Sequence, residues 1–248
     1  MTQKTITAAL IIIGDEILSG RTKDENLNFL AVGLGEIGVN LKEVRVVIDG
    51  EEEIIEAVNV LRKKHDYVFT SGGVGPTHDD ITSAAIAKAF DDEYLVNEEA
   101  KTILENYYGH GNLNEARLKM AFMPSKATLI QNEINAASGF KIENVFVLAG
   151  IPKIFRIMFE GTKTELQGGA KTKMQEIKIT LTESVIAKDF ANLQQKYPQI
   201  IMGSYPSEAT TSLVFRGTDY EILEKSVNEM ILILKNLQSD CVLAVVKS

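Results

Sequence analysis

Ile6–Ile13 is an apolar run of the kind shown by a strand buried on both faces. Apolar residues then recur at helical spacing over Asn26–Ile37, with Leu27, Leu30, Leu34 and Ile37 on one face. Leu41–Ile48 reads as a second strand. Glu51–Lys63 reads as a helix, acidic in its first turn and basic in its last, as the helix dipole favours. Tyr67–Thr70 is a short third strand, followed by a glycine-rich loop over Ser71–Asp80 and a helix over Ile81–Phe90. Strands and helices alternating in this way predict an α/β fold, a mostly parallel sheet with helices on both faces.

Further along, Glu98–Tyr108 and Asn114–Met120 have helical patterns, and Thr128–Gln131 and Asn144–Leu148 have strand patterns. Pro152 opens a helix to about Phe159, since proline is tolerated in a first turn. Gly161–Lys173 is polar, contains Gly168-Gly169 and has no sustained apolar period, so it reads as a linker. After it come a strand (Gln175–Leu181), a helix (Ser184–Lys196), two strands (Gln199–Tyr205 and Ser212–Arg216), a long amphipathic helix (Tyr220–Leu237) and a closing strand (Cys241–Val246). This β-α-β-β-α-β order predicts a small α+β domain with helices on one face of an antiparallel sheet. The expected domains are 1–165 and 174–248.

Composition narrows the function classes. Hydrophobic residues make up 45% of the 248, enough for a core. No apolar run approaches the roughly 18 residues of a membrane span, and the N-terminus lacks a secretory pattern. The expectation is a cytoplasmic protein with no membrane partner. A single cysteine, Cys241, excludes an internal disulfide. The net charge of −8 lies in residues 1–160, with 24 acidic and 16 basic side chains; residues 161–248 carry 10 of each. Neither part has the basic footprint of sequence-independent nucleic-acid binding. An acidic part that holds an anion needs a local positive device or a metal ion.

The glycine loop supplies such a device. Ser71-Gly72-Gly73-Val74-Gly75-Pro76-Thr77-His78-Asp79-Asp80 follows a strand and precedes a helix. Its glycines permit a tight turn and close approach of a ligand. Successive N–H groups in such a turn form an anion nest, and the following helix N-terminus adds partial positive charge. Thr77 or Asp79 can cap that helix. The spacing is neither that of a Walker loop nor that of a Rossmann loop. A plain Gly/Pro turn with a capping aspartate explains the same residues. Position favours the ligand, because parallel sheets bind ligands beyond the carboxyl ends of their strands. Acidic residues fall at those ends: Asp15 and Glu16 after the first strand, Asp49 after the second, Asp79 and Asp80 after the third. Asp15, Asp49 and Asp80 are the candidate ligands for a divalent cation such as Mg²⁺, Mn²⁺ or Co²⁺ bridging phosphate oxygens. Taken singly, each aspartate also suits a cap or turn.

Arg117 and Lys119 are candidate cations for a diphosphate, or simply two solvated side chains. Ala137-Ser138-Gly139-Phe140 and Leu148-Ala149-Gly150-Ile151-Pro152 are further small-residue turns, and Ser138, Gly139, Gly150 and Pro152 are candidates to line the same cleft. His65, His78 and His110 lack zinc-ligand spacing, and His65 reads as a surface residue.

Gly14-Asp15-Glu16-Ile17-Leu18, Asp24-Glu25-Asn26, the block Ser71–Asp80 and Gly150-Ile151-Pro152 together resemble the molybdopterin-binding domain family. The likeness covers about residues 5–160. It is greatest to the N-terminal part of CinA (competence/damage-inducible protein A), and it extends to the N-terminal domain of eukaryotic FAD synthetases. Residues 175–246, including Gly203-Ser204-Tyr205-Pro206, resemble the small KH-like domain that follows in those relatives. The CinA deamidase domain lies beyond the resemblance, the chain ending at Ser248, so nicotinamide-nucleotide deamidation is not implied. The resemblance implies either binding of molybdopterin, a role in molybdenum cofactor synthesis, or metal-dependent pyrophosphatase action on ADP-ribose- or FAD-like compounds. By motif position the family's catalytic aspartates fall on Asp49 and Asp80; in a pyrophosphatase Arg117 is the candidate to stabilise developing charge, although relatives often have Asn-Arg-Lys-Gln where this chain has Glu115-Ala116-Arg117-Leu118-Lys119. The ligand would lie on Ser71, Gly72, Gly73, Gly75, Pro76, Thr77 and Asp79. The chain has Ala149-Gly150-Ile151-Pro152 where relatives have Pro-Gly-x-Pro. Relatives form dimers or trimers, so the resemblance also implies a homo-oligomer. The KH-like part has no net charge and no Gly-x-x-Gly loop, which argues against RNA and for packing or oligomerisation.

Overall fold

The computed structural model describes residues 5–132, 134 and 136–247. The chain forms two compact units, Met1–Gly169 and Ala170–Ser248. The first unit opens with β1 (Ile6–Ile13), α1 (Asp15–Leu18), α2 (Asn26–Glu36), β2 (Val39–Val47), α3 (Glu51–Lys64), β3 (Tyr67–Ser71) and α4 (Thr82–Ala89). There follow β4 (Tyr94–Val96), α5 (Glu98–Tyr108), α6 (Glu115–Lys119), β5 (Phe122–Pro124), β6 (Thr128–Ile130), β7 (Gly139–Ile142), β8 (Val145–Leu148) and α7 (Pro152–Thr162). One sheet has the order β2-β1-β3-β8-β7-β6. Its first four strands are parallel, and β7 and β6 join antiparallel. The strands β4 and β5 form a separate antiparallel pair.

The alternation in β1 explains its apolar run. Ala9, Ile11 and Ile13 enter a core with Ile54, Val58, Leu61, Ala85 and Leu104. Ala8, Leu10 and Ile12 enter a second core with Leu30, Leu34, Phe155 and Phe159. Successive side chains point to opposite faces, so a strand covered by helices on both sides must be apolar throughout. The parallel strands share one rim, where Ile13, Val47, Ser71 and Leu148 end. β2 lies on one side of β1 and β3 on the other, so the connections diverge at β1 and β3 and leave a crevice there.

The structure departs from the sequence pattern in several places. The strands β4, β5 and β7 have no counterpart among the expected elements. The expected turn around Ser138 and Gly139 leads directly into β7, and Gly139 is its first residue. A β-carbon at Gly139 would overlap the Val147 carbonyl oxygen of the neighbouring strand, so close sheet packing accounts for this glycine. The expected linker also starts too early. α7 continues to Thr162, a 3-10 turn spans Lys163–Glu165, and Thr162 and Leu166 are buried one helical turn apart, extending the apolar face of α7. His65 is buried rather than exposed, its Nε2 lying 3.4 Å from Glu43 Oε2. Its position after α3 lays it against β2, where Glu43 meets Nε2 while Nδ1 is buried without a partner among the described residues.

The second unit comprises β9 (Lys173–Ile179), α8 (Glu183–Lys196), β10 (Ile201–Pro206), β11 (Thr211–Gly217), α9 (Tyr220–Leu237) and β12 (Val242–Lys247). Its sheet is antiparallel, in the order β10-β11-β9-β12. Ile177, Ile179, Leu213 and Phe215 pack with Ile186 and Leu193 of α8 and Leu223, Val227, Met230 and Leu234 of α9. Cys241 is buried in this core, and burial raises its thiol pKa. Among the described residues no helix is long and apolar enough to cross a membrane.

Candidate functional site

The glycine loop leaves β3 between the ends of β1 and β8. Gly72 and Gly73 have φ of +112° and +67°, a region that disfavours any side chain. Space excludes one as well. A β-carbon at Gly72 would overlap the Ile13 carbonyl oxygen, and one at Gly73 would overlap the Thr82 hydroxyl. Thr82 is the latch that holds this shape. Its hydroxyl donates to the Gly72 carbonyl at 3.0 Å and its N–H to the Gly73 carbonyl at 3.0 Å. α4 has no side-chain cap at its N-terminus, so neither Thr77 nor Asp79 caps it. Those residues serve the loop itself. The Thr77 N–H donates to Asp80 Oδ2 at 2.8 Å, and the Thr77 hydroxyl donates to the same oxygen.

Among the described residues, the successive N–H groups of Gly73, Val74 and Gly75 donate to no acceptor in the chain. All three residues are partly exposed. Successive unpaired donors in a turn of fixed shape can cradle an anion.

Asn26, absent from the candidates that sequence reasoning picks out, ties this cradle to its neighbour. Its Nδ2 donates to Ser71 Oγ and to the Gly150 carbonyl, both at 2.8 Å, and the residue is 2% exposed. The signal is present in the block Asp24-Glu25-Asn26 at a helix start. Gly150 lies so close that its β-carbon would stand 3.1 Å from Gly72 Cα. Ser71, Gly72, Gly150, Pro152 and Asn26, with Lys23 and Glu16, line a cavity of about 70 Å³. Lys23 is a further cation at this rim, and nothing in its spacing marks it out.

The carboxylates at the strand ends converge in part. Asp49 Oδ2 accepts the Asp15 backbone N–H at 3.0 Å. Burial raises the Asp49 pKa above the ordinary aspartate value; the Asp15 N–H opposes this, and the negative charges of Asp15, Glu16 and Asp79 add to it. Asp79 is held below its usual range by the nearby Thr77 hydroxyl, its own N–H, His78 and Lys119. Among the described residues no group of three or more His, Cys, Asp or Glu side chains is gathered as a metal cage. Asp15, Asp49 and Asp80 therefore share a rim without forming a three-carboxylate site. Asp80 is occupied by Thr77, and Asp15 meets Asp49 through its backbone rather than its carboxylate.

The structure separates the two expected cations. Lys119 Nζ donates to the Thr77 carbonyl and so stands on the loop. Arg117 is committed elsewhere: its guanidinium lies 4.1 Å over the Tyr108 ring and donates to the Asn112 carbonyl at 2.5 Å. Ser138 is buried at the start of β7, at the end of that strand which lies beside the C-terminal end of β8.

Residues 9–167 match the family model described as "Probable molybdopterin binding domain", which covers more than half of the chain. The chain belongs to the CinA-like molybdopterin-binding family. Residues 171–243 match a second model, "FAD synthase, middle domain". A protein of Pyrococcus abyssi is 34% identical over 245 residues, covering 90% of this chain and 95% of its own length. A CinA-like protein of Flavobacterium psychrophilum is 28% identical over 95% of this chain, which spans 60% of that relative. The solved structure of CinA from Thermoplasma acidophilum, described as of unknown function, superposes with a TM-score of 0.62 at 32% identity, covering 65% of this chain and 99% of that one.

Proposed function

We propose that the first unit binds a phosphorylated ligand of the molybdopterin class, its phosphate lying on the amides of Gly73, Val74 and Gly75. The observation that carries this reading is the row of unpaired donors, fixed by the Thr82 latch and set at a switch point between parallel strands. Family membership supports the ligand class. Calorimetry with molybdopterin and with pyrophosphate tests it. Binding of either that disappears on Gly73→Ala agrees with the proposal; binding that survives the substitution does not.

A second reading, metal-dependent pyrophosphate cleavage, is favoured by the crowding around Asp49. The side chains do not fit a protein-only cage. A Mg²⁺-type cation needs only one or two carboxylates and completes its shell with water and substrate phosphates. Asp49 and Asp80 would hold it, and when bound it neutralises phosphate charge and polarises the P–O bond. Water oriented by Asp49 or Asp80 would attack one phosphorus, a new P–O bond forming as the anhydride P–O bond breaks, with the displaced phosphate group leaving and the water's proton passing to solvent. Lys119 and the loop amides offset the charge that develops. The match of the second unit to an FAD synthase domain makes FAD a rational probe beside ADP-ribose and NADH. If no AMP forms with Mg²⁺, Mn²⁺ or Co²⁺, hydrolysis of these compounds is wrong while binding stands.

For the second unit we propose packing between copies of the chain. Leu243, Val245 and Val246 on the edge strand β12 are exposed, and such edges in monomers are ordinarily blunted by charge or proline. Light scattering of the intact protein tests this, a monomer at all concentrations being the contrary result.

A further inference from the structure

On the α2 and α7 side of the first unit lies a cavity of about 630 Å³. It is formed by Phe29 of α2, Gln131 beyond β6, and Arg156, Ile157, Glu160 and Gly161 of α7. None of these belongs to the glycine loop or to the strand-end carboxylates, so the cavity stands apart from the phosphate reading. Sites for whole small molecules have volumes of roughly 300–1,000 Å³.

The side chains of α7 leave this space open. Arg156 and Glu160 stand one helical turn apart, where opposite charges ordinarily pair. Here they turn away from each other: Arg156 Nη2 donates to Glu25 Oε2 at 3.2 Å, and Glu160 Oε1 lies 2.8 Å from Lys163 Nζ. Ile157 and Gly161, also one turn apart, are left between them, and a β-carbon at Gly161 would meet no atom within 4 Å. Phe29 forms the facing wall. Its ring is edge-on to Phe159, with centroids 5.9 Å apart, and the Arg156 guanidinium lies 5.3 Å over its centre. Ring and ion pair thus hold the guanidinium at the cavity wall, and the rest of its fork has no acceptor among the described residues.

We propose that this cavity binds a small monocarboxylate with an aromatic body, the carboxylate on Arg156 and the ring against Phe29, Ile157 and Gly161. Three observations select this chemistry. The guanidinium fork offers parallel N–H donors that match a carboxylate in a two-point contact. Glu25 and Glu160 flank it and repel a second negative charge, so a singly charged acid fits where a phosphate dianion does not. Phe29, Ile157 and Gly161 reward the burial of a ring and leave the hydroxyls of a sugar without partners. Glu25 is 62% exposed, and ion pairs between exposed side chains are weak, so an incoming carboxylate displaces it readily.

Titration of the isotope-labelled full chain, followed by NMR amide shifts, reads both affinity and place. The probes are phenylacetate, phenylacetamide, acetate and phenyl phosphate. The proteins are wild type, Arg156→Gln and Gly161→Leu. Leucine is a better helix former than glycine, so Gly161→Leu fills the cavity without threatening the fold. The expected result is saturable binding of phenylacetate that moves the amides of Phe29, Ile157 and Gly161. The other three probes bind more weakly by roughly tenfold or more, the weight of one charge-assisted hydrogen bond or one buried ring. Arg156→Gln brings phenylacetate down to the level of phenylacetamide, and Gly161→Leu abolishes saturation. Phenylacetamide or phenyl phosphate binding wild type as tightly as phenylacetate overturns the choice of a monocarboxylate. Binding that survives Gly161→Leu, or no saturation up to about 10 mM phenylacetate, overturns the site itself. Movement of the same amides when the probe-free protein is diluted assigns this face to a second copy of the chain, which also overturns the proposal.

Discussion

Gly73→Ala separates a loop held by close packing from one that needs only a permissive turn. Gly20 is the internal control, because its φ of +73° matches the +67° of Gly73 and no atom lies within 4 Å of where its β-carbon would stand. An alanine in the left-handed region costs about 1–2 kcal/mol. The loss of unfolded-state freedom returns about 0.4–1 kcal/mol. Gly20→Ala should therefore cost about 1 kcal/mol. At Gly73 the new β-carbon overlaps the Thr82 hydroxyl and drives it off the buried Gly72 carbonyl, which it now reaches at 3.0 Å. Stranding those groups adds about 1–3 kcal/mol, for a total of about 2–4 kcal/mol. Urea unfolding followed by circular dichroism measures both variants, since the chain has no tryptophan to report by fluorescence. A Gly73→Ala/Thr82→Ala double variant completes the cycle. Once the hydroxyl is gone, the overlap is relieved, so the double variant should lose less than the sum of the single losses. Equal losses at Gly20 and Gly73, or strict additivity in the cycle, would refute the steric account.

Three further outcomes follow from the site geometry. Asn26→Ala removes the buried hydrogen bond to Ser71 Oγ and the part-buried one to the Gly150 carbonyl, and should cost about 2–3 kcal/mol by urea midpoint; a loss under about 0.5 kcal/mol, the level of a neutral surface change, contradicts the tie. Lys119→Met should weaken pyrophosphate binding about tenfold, while Arg117→Met should leave it unchanged and lower thermal stability slightly through the lost Tyr108 stack; the reverse ranking would place Arg117 on the ligand. Asp49 has a folded pKa raised above its unfolded value, so the folded state holds the extra proton between the two values and stability falls as pH rises through that window. Asp49→Asn keeps an oxygen for the Asp15 N–H and removes the half-buried charge, so it should be as stable as wild type or more so at pH 7; a clear loss there would show that the carboxylate is needed for the fold.

Much of the fold could be read from periodicity, because helices on both faces of β1 force an apolar strand and a single buried face on α3 forces helical spacing. Two short strands could not. Tyr94–Val96 and Phe122–Pro124 stand apart from the main sheet and exist as strands only through one another, whereas Thr128–Ile130, equally short, joins the edge of that sheet where a strand is expected. The site was legible at the level of the rim: glycines and aspartates at strand ends meet because parallel strands end together. Side-chain reach was not legible. Arg117 and Lys119 are two apart on one helical turn and so diverge in direction; an aromatic ring captures the first and a loop carbonyl captures the second. Asn26 needed the tertiary structure, since its partners are 45 and 124 residues away in sequence.

If the loop amides hold an anion, that anion must approach among carboxylates. Asp15, Glu16 and Asp79 already repel the charge on Asp49. A phosphate on the loop meets the same field, with Lys119 and Lys23 as the nearby counter-charges. Two changes relieve that repulsion: protonation of Asp49, and arrival of a divalent cation with the ligand. Affinity for pyrophosphate should therefore rise as pH falls through the raised Asp49 value, and should also rise when Mg²⁺ is added. Because both remove one repulsion, they must not add. With saturating Mg²⁺ the Asp49-dependent part of the pH profile should flatten, and in Asp49→Asn it should vanish, leaving only the titration of the probe itself. If wild type and Asp49→Asn show the same pH dependence without metal, the field at Asp49 does not reach the bound phosphate, and the strand-end carboxylates and the glycine loop are two separate features of the rim.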